Sequence, residues 1–322
     1  MRLAALSLGL LVSAAATGCA GARSDAADAH APGRGPYAVR DIQEVVLRDR
    51  ARGKDLQLRI RIPDAAGPFP VIVWSHGALG SKDSYAPLTE HWASHGYVVI
   101  QPSHEDSRQL GGRLRDMRAL QGWQNRPGDV SFILDSLDEL MRSEPGLAGK
   151  LDPARVGVGG HSFGAHTAQL IGGAHTFGRG GEQSFFDARV RAVMLLSAQG
   201  PGEMLRETSW RTLARPMLVM SGSRDGPTRT GQPAEWRRQP YELSPPGDKH
   251  LIWIEGLDHG YGGISGARNF RNRRNEDHVR YTRIATLVFW DTYLKDSAEA
   301  RSYLLSRKLI ALSGDTIEMQ HK

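Results

Sequence analysis

Hydrophobic positions along this chain change rhythm at Phe69. Before it, Ile42 to Arg48 and Leu56 to Ile62 alternate apolar with polar, the second reading Leu56-Gln57-Leu58-Arg59-Ile60-Arg61-Ile62. That alternation predicts an antiparallel pair of strands with one face in water. After it come short runs that are apolar nearly throughout: Pro70 to Ser75, Tyr97 to Gln101, Arg155 to Val158, Val190 to Leu196, Met217 to Met220 and Leu251 to Ile254. Such runs suit parallel strands covered on both faces. Between them, three-or-four spacing predicts helices from Tyr85 to Ser94, Gly128 to Arg142, Phe163 to Gly172 and Asp277 to Tyr293, with a weaker one around Gly202 to Leu213. The clearest carries Val130, Ile133, Leu134, Leu137, Leu140 and Met141, with Pro127-Gly128-Asp129 as its start. These residues read as core packing. Strands alternating with helices imply right-handed crossovers, hence an α/β fold with a mostly parallel central sheet and helices on both faces.

Composition narrows this only in part. The 322 residues are 40% hydrophobic, enough for one sizeable core, and nothing repeats at a fixed period, so one catalytic domain is expected over residues 41–322. The formal charge of +6 comes from arginines spread along the chain without a basic run interleaved with aromatics, which argues against a nucleic-acid partner. Residues 1–18 have a short charged start followed by an apolar run too brief to span a bilayer, and they read as an export signal. Cys19, the only cysteine, ends the stretch Ala16-Thr17-Gly18-Cys19, similar to a bacterial lipoprotein cleavage box with Ala where Leu is usual. Cys19 is therefore the expected lipidation site and membrane anchor, in the bacterial cell envelope. Ordinary cleavage near Ala16 is the alternative. Residues 19–40, rich in Ala, Gly, Asp, Arg and Pro, then read as a flexible tether.

The chemistry gathers where strands end, as ligand sites of open parallel sheets do. The apolar run from Arg155 ends in Gly160-His161-Ser162-Phe163-Gly164, and a helical pattern follows at once. With 37 glycines in the chain, G-x-S-x-G alone says little; its strand-turn-helix context says more. A sharp turn there presents the Ser162 hydroxyl as a nucleophile, whereas a plain β-α turn would use Ser162 to cap the helix. Two further strand ends supply Asp225, in Ser221-Gly222-Ser223-Arg224-Asp225, and His259, in Asp258-His259-Gly260. Ser162, Asp225 and His259 follow the order nucleophile, acid, base. His259 would take the hydroxyl proton and return it to the leaving group, with Asp225 holding its tautomer. Backbone N–H groups of Ala78, after Trp74-Ser75-His76-Gly77, and of Phe163 are the expected oxyanion donors.

These stretches, together with Ser94-His95-Gly96-Tyr97 and Pro102-Ser103-His104-Glu105-Asp106, resemble an α/β-hydrolase from about Asp41 to Tyr293. Within that superfamily the chain is similar to dienelactone-hydrolase-like and platelet-activating-factor-acetylhydrolase-like serine esterases, and more distantly to bacterial cutinase-like polyester hydrolases. It departs from each. Dienelactone hydrolases use Cys where this chain has Ser162, and the acetylhydrolases carry their acid one strand earlier, where this chain reads Ser197-Ala198-Gln199. The disulfide of the polyester hydrolases cannot form with one cysteine. The resemblance implies an exported serine hydrolase acting on a small-molecule carboxylic ester through an acyl-enzyme, without metal or organic cofactor. A perhydrolase or amidase on the same fold is the first alternative; a catalytically silent surface binding protein is the second.

Other candidates carry less. His104, Glu105 and Asp106 could line a pocket or bind a cation, but they read better as a loop-structuring cluster. His161 and His166 do not share a helical face, which disfavours joint metal ligation. Asp258, although beside His259, is a poor acid because its side chain should point elsewhere. The arginines from Arg108 to Arg126 read as a solvated loop and helix face. The connection from Leu196 to Met217 is too short for a large lid, so short acyl chains are the expected substrates.

Overall fold

A computed structural model describes residues 33–113, 122–178, 180–226, 231–266 and 274–322. The expected export signal and Cys19 lie outside the described residues, as does most of the tether. In chain order, the strands are β1 (Val39–Asp49), β2 (Lys54–Pro63), β3 (Phe69–Ser75), β4 (Val98–Ser103), β5 (Leu151–His161), β6 (Thr176–Gly178), β7 (Gly181–Gln183), β8 (Val190–Leu196), β9 (Met217–Arg224), β10 (Lys249–Asp258) and β11 (Ile317–His321). The helices are α1 (Ala86–Ser94), α2 (Gly122–Asp135), α3 (Leu137–Ser143), α4 (Phe163–Ile171), α5 (Gln239–Leu243), α6 (Glu276–Leu294), α7 (Ala298–Leu304) and α8 (Lys308–Leu312).

Nine strands form one sheet in the order β1-β2-β4-β3-β5-β8-β9-β10-β11, and β6 with β7 makes a separate hairpin. The run from β4 through β3, β5, β8 and β9 to β10 is parallel. β1, β2 and β11 pair antiparallel at the two edges. Successive residues of the inner strands feed opposite cores. Val71 and Val73 of β3 pack on one face with α2, α3 and α4, while Ile72 and Trp74 pack on the other with α1 and α6. That is why the inner strands read as unbroken apolar runs. The mostly parallel sheet with helices on both faces is the α/β-hydrolase fold.

Several boundaries differ from the sequence reading. The helix expected over Gly128 to Arg142 begins at Gly122, carries Pro127 inside it, and breaks at Ser136 into α2 and α3. Proline removes one N–H from the ladder. The weak helix around Gly202 to Leu213 is a single 3-10 turn, Glu207–Trp210. At the front edge the chain is held before Asp41: Gly35 N–H donates to Ser94 Oγ at 2.9 Å, and the Tyr37 ring meets Phe69 edge-on. At the back, α7, α8 and β11 continue the fold beyond Tyr293. β11 covers the edge of β10, leaving that strand paired on both sides.

Candidate active site

Strand β5 runs into Gly160 and His161, and the chain then turns through Ser162 at φ 55° and ψ −117°, outside the regions an L-residue prefers. Helix α4 starts at the next residue. The two flanking glycines are required by close approach. A Cβ on Gly160 would lie 2.3 Å from the Gly164 carbonyl carbon, and one on Gly164 would lie 1.9 Å from the Ser75 carbonyl oxygen of β3. Ser162 occupies the N-cap position of α4, yet its side chain makes no capping hydrogen bond. The helix-capping reading of this serine is therefore excluded, and the half-buried hydroxyl is left for other work.

Asp225 follows β9 and is fully buried. One oxygen, Oδ1, accepts from His259 Nδ1 at 2.7 Å. The other, Oδ2, accepts from Ser221 Oγ at 2.6 Å and from Ser197 Oγ more closely still. Arg237 Nε stands 3.0 Å from Oδ1. Burial pushes this carboxyl up, but the Arg237 charge and the hydrogen bonds from His259 and Ser197 overcome it and hold Asp225 at about 2. His259, on the turn after β10, is partly exposed, and its ring lies 4.5 Å from that of His161, the residue before Ser162. The Asp225–His259 pair at the ends of β9 and β10 thus lies against His161, the last residue of β5 and the neighbour of Ser162 in sequence. Asp258 Oδ1 accepts the Gly260 N–H at 2.9 Å.

The loop after β3 is shaped from both sides of Ala78. Gly77 N–H donates to Tyr85 Oη at 3.0 Å and Leu79 N–H to Asp106 Oδ2 at 2.9 Å. The intervening Ala78 amide and the Phe163 amide at the start of α4 have no acceptor among the described residues. Beneath them sits a buried polar network. Arg126 forms a two-pronged pair with Asp106 at 2.9 and 2.8 Å, donates to the His76 carbonyl at 2.5 Å, and stacks 4.4 Å over the Phe163 ring. It therefore ties together the two segments that carry these amides. His104 joins Ser75 Oγ at 2.9 Å to Asp129 at 2.8 Å, and Asp129 also takes Arg52 and Lys54. Burial lowers the proton affinity of His104, with Arg126 adding to it, and the neighbouring aspartates only partly oppose this.

His104 and Asp106 are thus structural members of the cluster, whereas exposed Glu105 accepts from Asn125 at 2.8 Å. Arg126 corrects the solvated-face reading of the arginines from Arg108: it is buried, because it alone of that series faces Asp106 among the described residues. His161 and His166 part company. The first takes a hydrogen bond with Tyr85 Oη at 2.8 Å, and the second stacks on Phe163 with ring centroids 6.0 Å apart. No three His, Cys, Asp or Glu side chains among the described residues are grouped to hold a metal ion.

Sequence reasoning missed Arg237, Ser197, Ser221, Tyr261 and Tyr85 in this region. Ser197 and Ser221 had a signal, since each directly follows an apolar run, Val190 to Leu196 and Met217 to Met220. Arg237 had none: it stands twelve residues after Asp225 in a segment readable only as loop.

Comparison with known proteins agrees with this fold. A family model described as Chlorophyllase matches residues 28–172, a span that includes the Ser162 turn and stops before Asp225 and His259. Chlorophyllase-1 of Arabidopsis thaliana is 24% identical over 118 residues, covering 37% of this chain and 33% of that protein. The chloroplastic Chlorophyllase-1 of Citrus sinensis is 26% identical over 145 residues, covering 45% and 41%. A putative phospholipase A2 of Schizosaccharomyces pombe is 37% identical over 54 residues, covering 17% and 12%. The chain therefore spans less than half the length of the curated relatives it matches. These likenesses stand beside the dienelactone-hydrolase-like and acetylhydrolase-like resemblance without selecting that branch.

Proposed function

We propose that this chain is a serine hydrolase that cleaves carboxylic esters through an acyl-enzyme on Ser162. The observation that carries the reading is the strained Ser162 turn, with neighbouring His161 packed on the ring of His259, which is paired with buried Asp225. Relatives named as chlorophyllases and as a phospholipase A2, names of ester-cleaving enzymes, point the same way. Ser162 Oγ attacks the ester carbonyl carbon as His259 takes the hydroxyl proton through Nε2, with Asp225 fixing Nδ1–H. The carbonyl oxygen gains the negative charge and meets the Ala78 and Phe163 amides, at the positive end of α4. Collapse of the tetrahedral species breaks the C–O bond, and the departing alcohol takes the proton from His259. Water, deprotonated by the same imidazole, then attacks the acyl-serine, and its collapse frees the acid and restores Ser162.

Substrate size follows from the β8–β9 connection. Residues 197–216 hold one 3-10 turn and no helix long enough to form a cap. An uncapped cleft needs no oil surface to open it, and a small pocket gains little from methylenes it cannot bury. Catalytic efficiency on a p-nitrophenyl ester series from acetate to palmitate is expected to peak at roughly two to six acyl carbons. An optimum at long chains, or a jump in rate once the substrate aggregates, would refute this.

The location proposal rests on residues 1–18 and Cys19 alone. A lipidated cysteine carries more than one acyl chain, which gives durable anchoring. Cys19→Ser is expected to move the protein from the detergent phase of a bacterial extract to the aqueous phase. Wild-type protein found wholly in the aqueous phase excludes the anchor.

A further inference from the structure

We propose that Arg237 is a positioning residue that sets the lower pH limit of activity by fixing the charge and aim of the Asp225–His259 pair. This rests on the triad reading above. Arg237 belongs to the 3-10 turn Ala234–Arg238, and its side chain is only 5% exposed. Nε donates to the Asp225 carbonyl at 2.8 Å and stands 3.0 Å from Asp225 Oδ1, the same oxygen that accepts from His259. Nη1 donates to the Ser197 and Ala198 carbonyls at 2.6 and 3.0 Å. Nη2 reaches within 3.5 Å of His259 Nδ1. One planar fork thereby grips the end of β8, the turn after β9 and the imidazole together, a geometry that an ammonium could not reproduce.

The groups facing the pair include the hydroxyls of Ser197 and Ser221, His161 against the His259 ring, Tyr261 Oη within 3.3 Å of Ser197 Oγ, and Arg237. Burial holds His161 neutral well below the usual histidine range, with the His259 and Arg237 charges lowering it and Asp225 opposing, so it contributes no competing cation. Asp225 Oδ1 takes both the His259 and the Arg237 contact, and the Arg237 charge leads what holds that carboxyl down against its burial. An imidazolium formed at His259 would stand with Nδ1 3.5 Å from the permanent guanidinium charge, a repulsion that disfavours it. The added proton removes the base that activates Ser162. Arg237 therefore extends activity toward acid.

The test is the pH profile of kcat/KM for Arg237→Gln, Arg237→Lys and wild type on a soluble short-chain ester. In the glutamine variant the acid limb is expected to rise by about one pH unit, because a nearby full charge commonly shifts a titration by that much. In the lysine variant the charge remains but is set back on a single centre, and the limb rises by a smaller step, about a third of a unit. Both variants lose some plateau rate. A purely structural arginine would lower the plateau with the acid limb unmoved, and that result overturns the proposal. If the glutamine variant does not fold, the lysine profile decides alone, a limb coincident with wild type being the overturning outcome. Labelling of wild-type Ser162 by a fluorophosphonate separates the two levels of argument: an unlabelled serine sinks the triad reading itself, whereas a labelled serine with an unmoved limb sinks only the role of Arg237.

Discussion

Ser162→Ala is expected to reduce hydrolysis of short-chain esters by about 10⁴-fold or more, with thermal unfolding changed little. The two halves of this expectation have separate causes. Loss of the hydroxyl removes the atom that forms the acyl-enzyme, leaving only binding and the Ala78 and Phe163 amides to favour attack by water. Stability is spared because the Ser162 side chain makes no capping hydrogen bond, and alanine has the same Cβ to place in the strained backbone. A serine that merely capped α4 would give the opposite pattern: activity retained, and stability lowered by about 1 kcal/mol. The measurements are steady-state hydrolysis with a p-nitrophenyl ester and a melting curve on the same preparation. Retention of even a tenth of wild-type turnover, with the fold intact, would remove Ser162 from the mechanism.

The parts of the site readable in the sequence are those whose chemistry is tied to a strand end. Val190 to Leu196 and Met217 to Met220 were legible because both faces of these strands are covered, which forces an apolar run, and the residues after such runs fall at the mouth of the sheet. Ser162 and Gly164 were legible for a steric reason, since only glycine fits where α4 approaches within contact of the Ser75 carbonyl. Arg126 and Arg237 were not. An arginine in a loop or a helix start carries no periodicity to distinguish a buried fork from a solvated charge, and only the carboxylate that meets it in space settles its role. Tyr85 was read as the start of α1 and nothing more, yet its hydroxyl links the Gly77 amide to His161 across two elements far apart in sequence. The split of α2 from α3 at Ser136 escaped for a related reason: the apolar stripe from Val130 to Leu140 keeps its face across the kink, so spacing alone sees one helix.

The second large effect expected is a separation of two neighbouring acids, Asp225→Asn and Asp258→Asn. Asparagine at 225 would turn an amide toward His259 Nδ1 or lose the acceptor there, favouring the tautomer with its proton on Nε2, which cannot accept from Ser162. A fall in kcat of about 10³ to 10⁴-fold follows, at a pH where wild type is on its plateau. The same change leaves Arg237 buried beside a neutral side chain, so stability is expected to drop as well. It also alters the response to acid. Asp225 has its native-state pKa depressed to about 2, so the ionised carboxylate stabilises the fold above the ordinary aspartate value of about 3.9, a contribution lost as pH falls from there toward 2. The variant has no such contribution to lose. Asp258, by contrast, uses Oδ1 to accept the Gly260 N–H, and an asparagine oxygen accepts the same bond. Asp258→Asn is therefore expected to stay within about tenfold of wild type, because the geometry of the His259 turn survives. Near-UV circular dichroism on both variants separates loss of chemistry from loss of fold. If Asp258→Asn proves the more damaging to kcat, the acid of the triad is Asp258, and the carboxylate at the end of β9 serves only to hold Arg237 and the strand ends together.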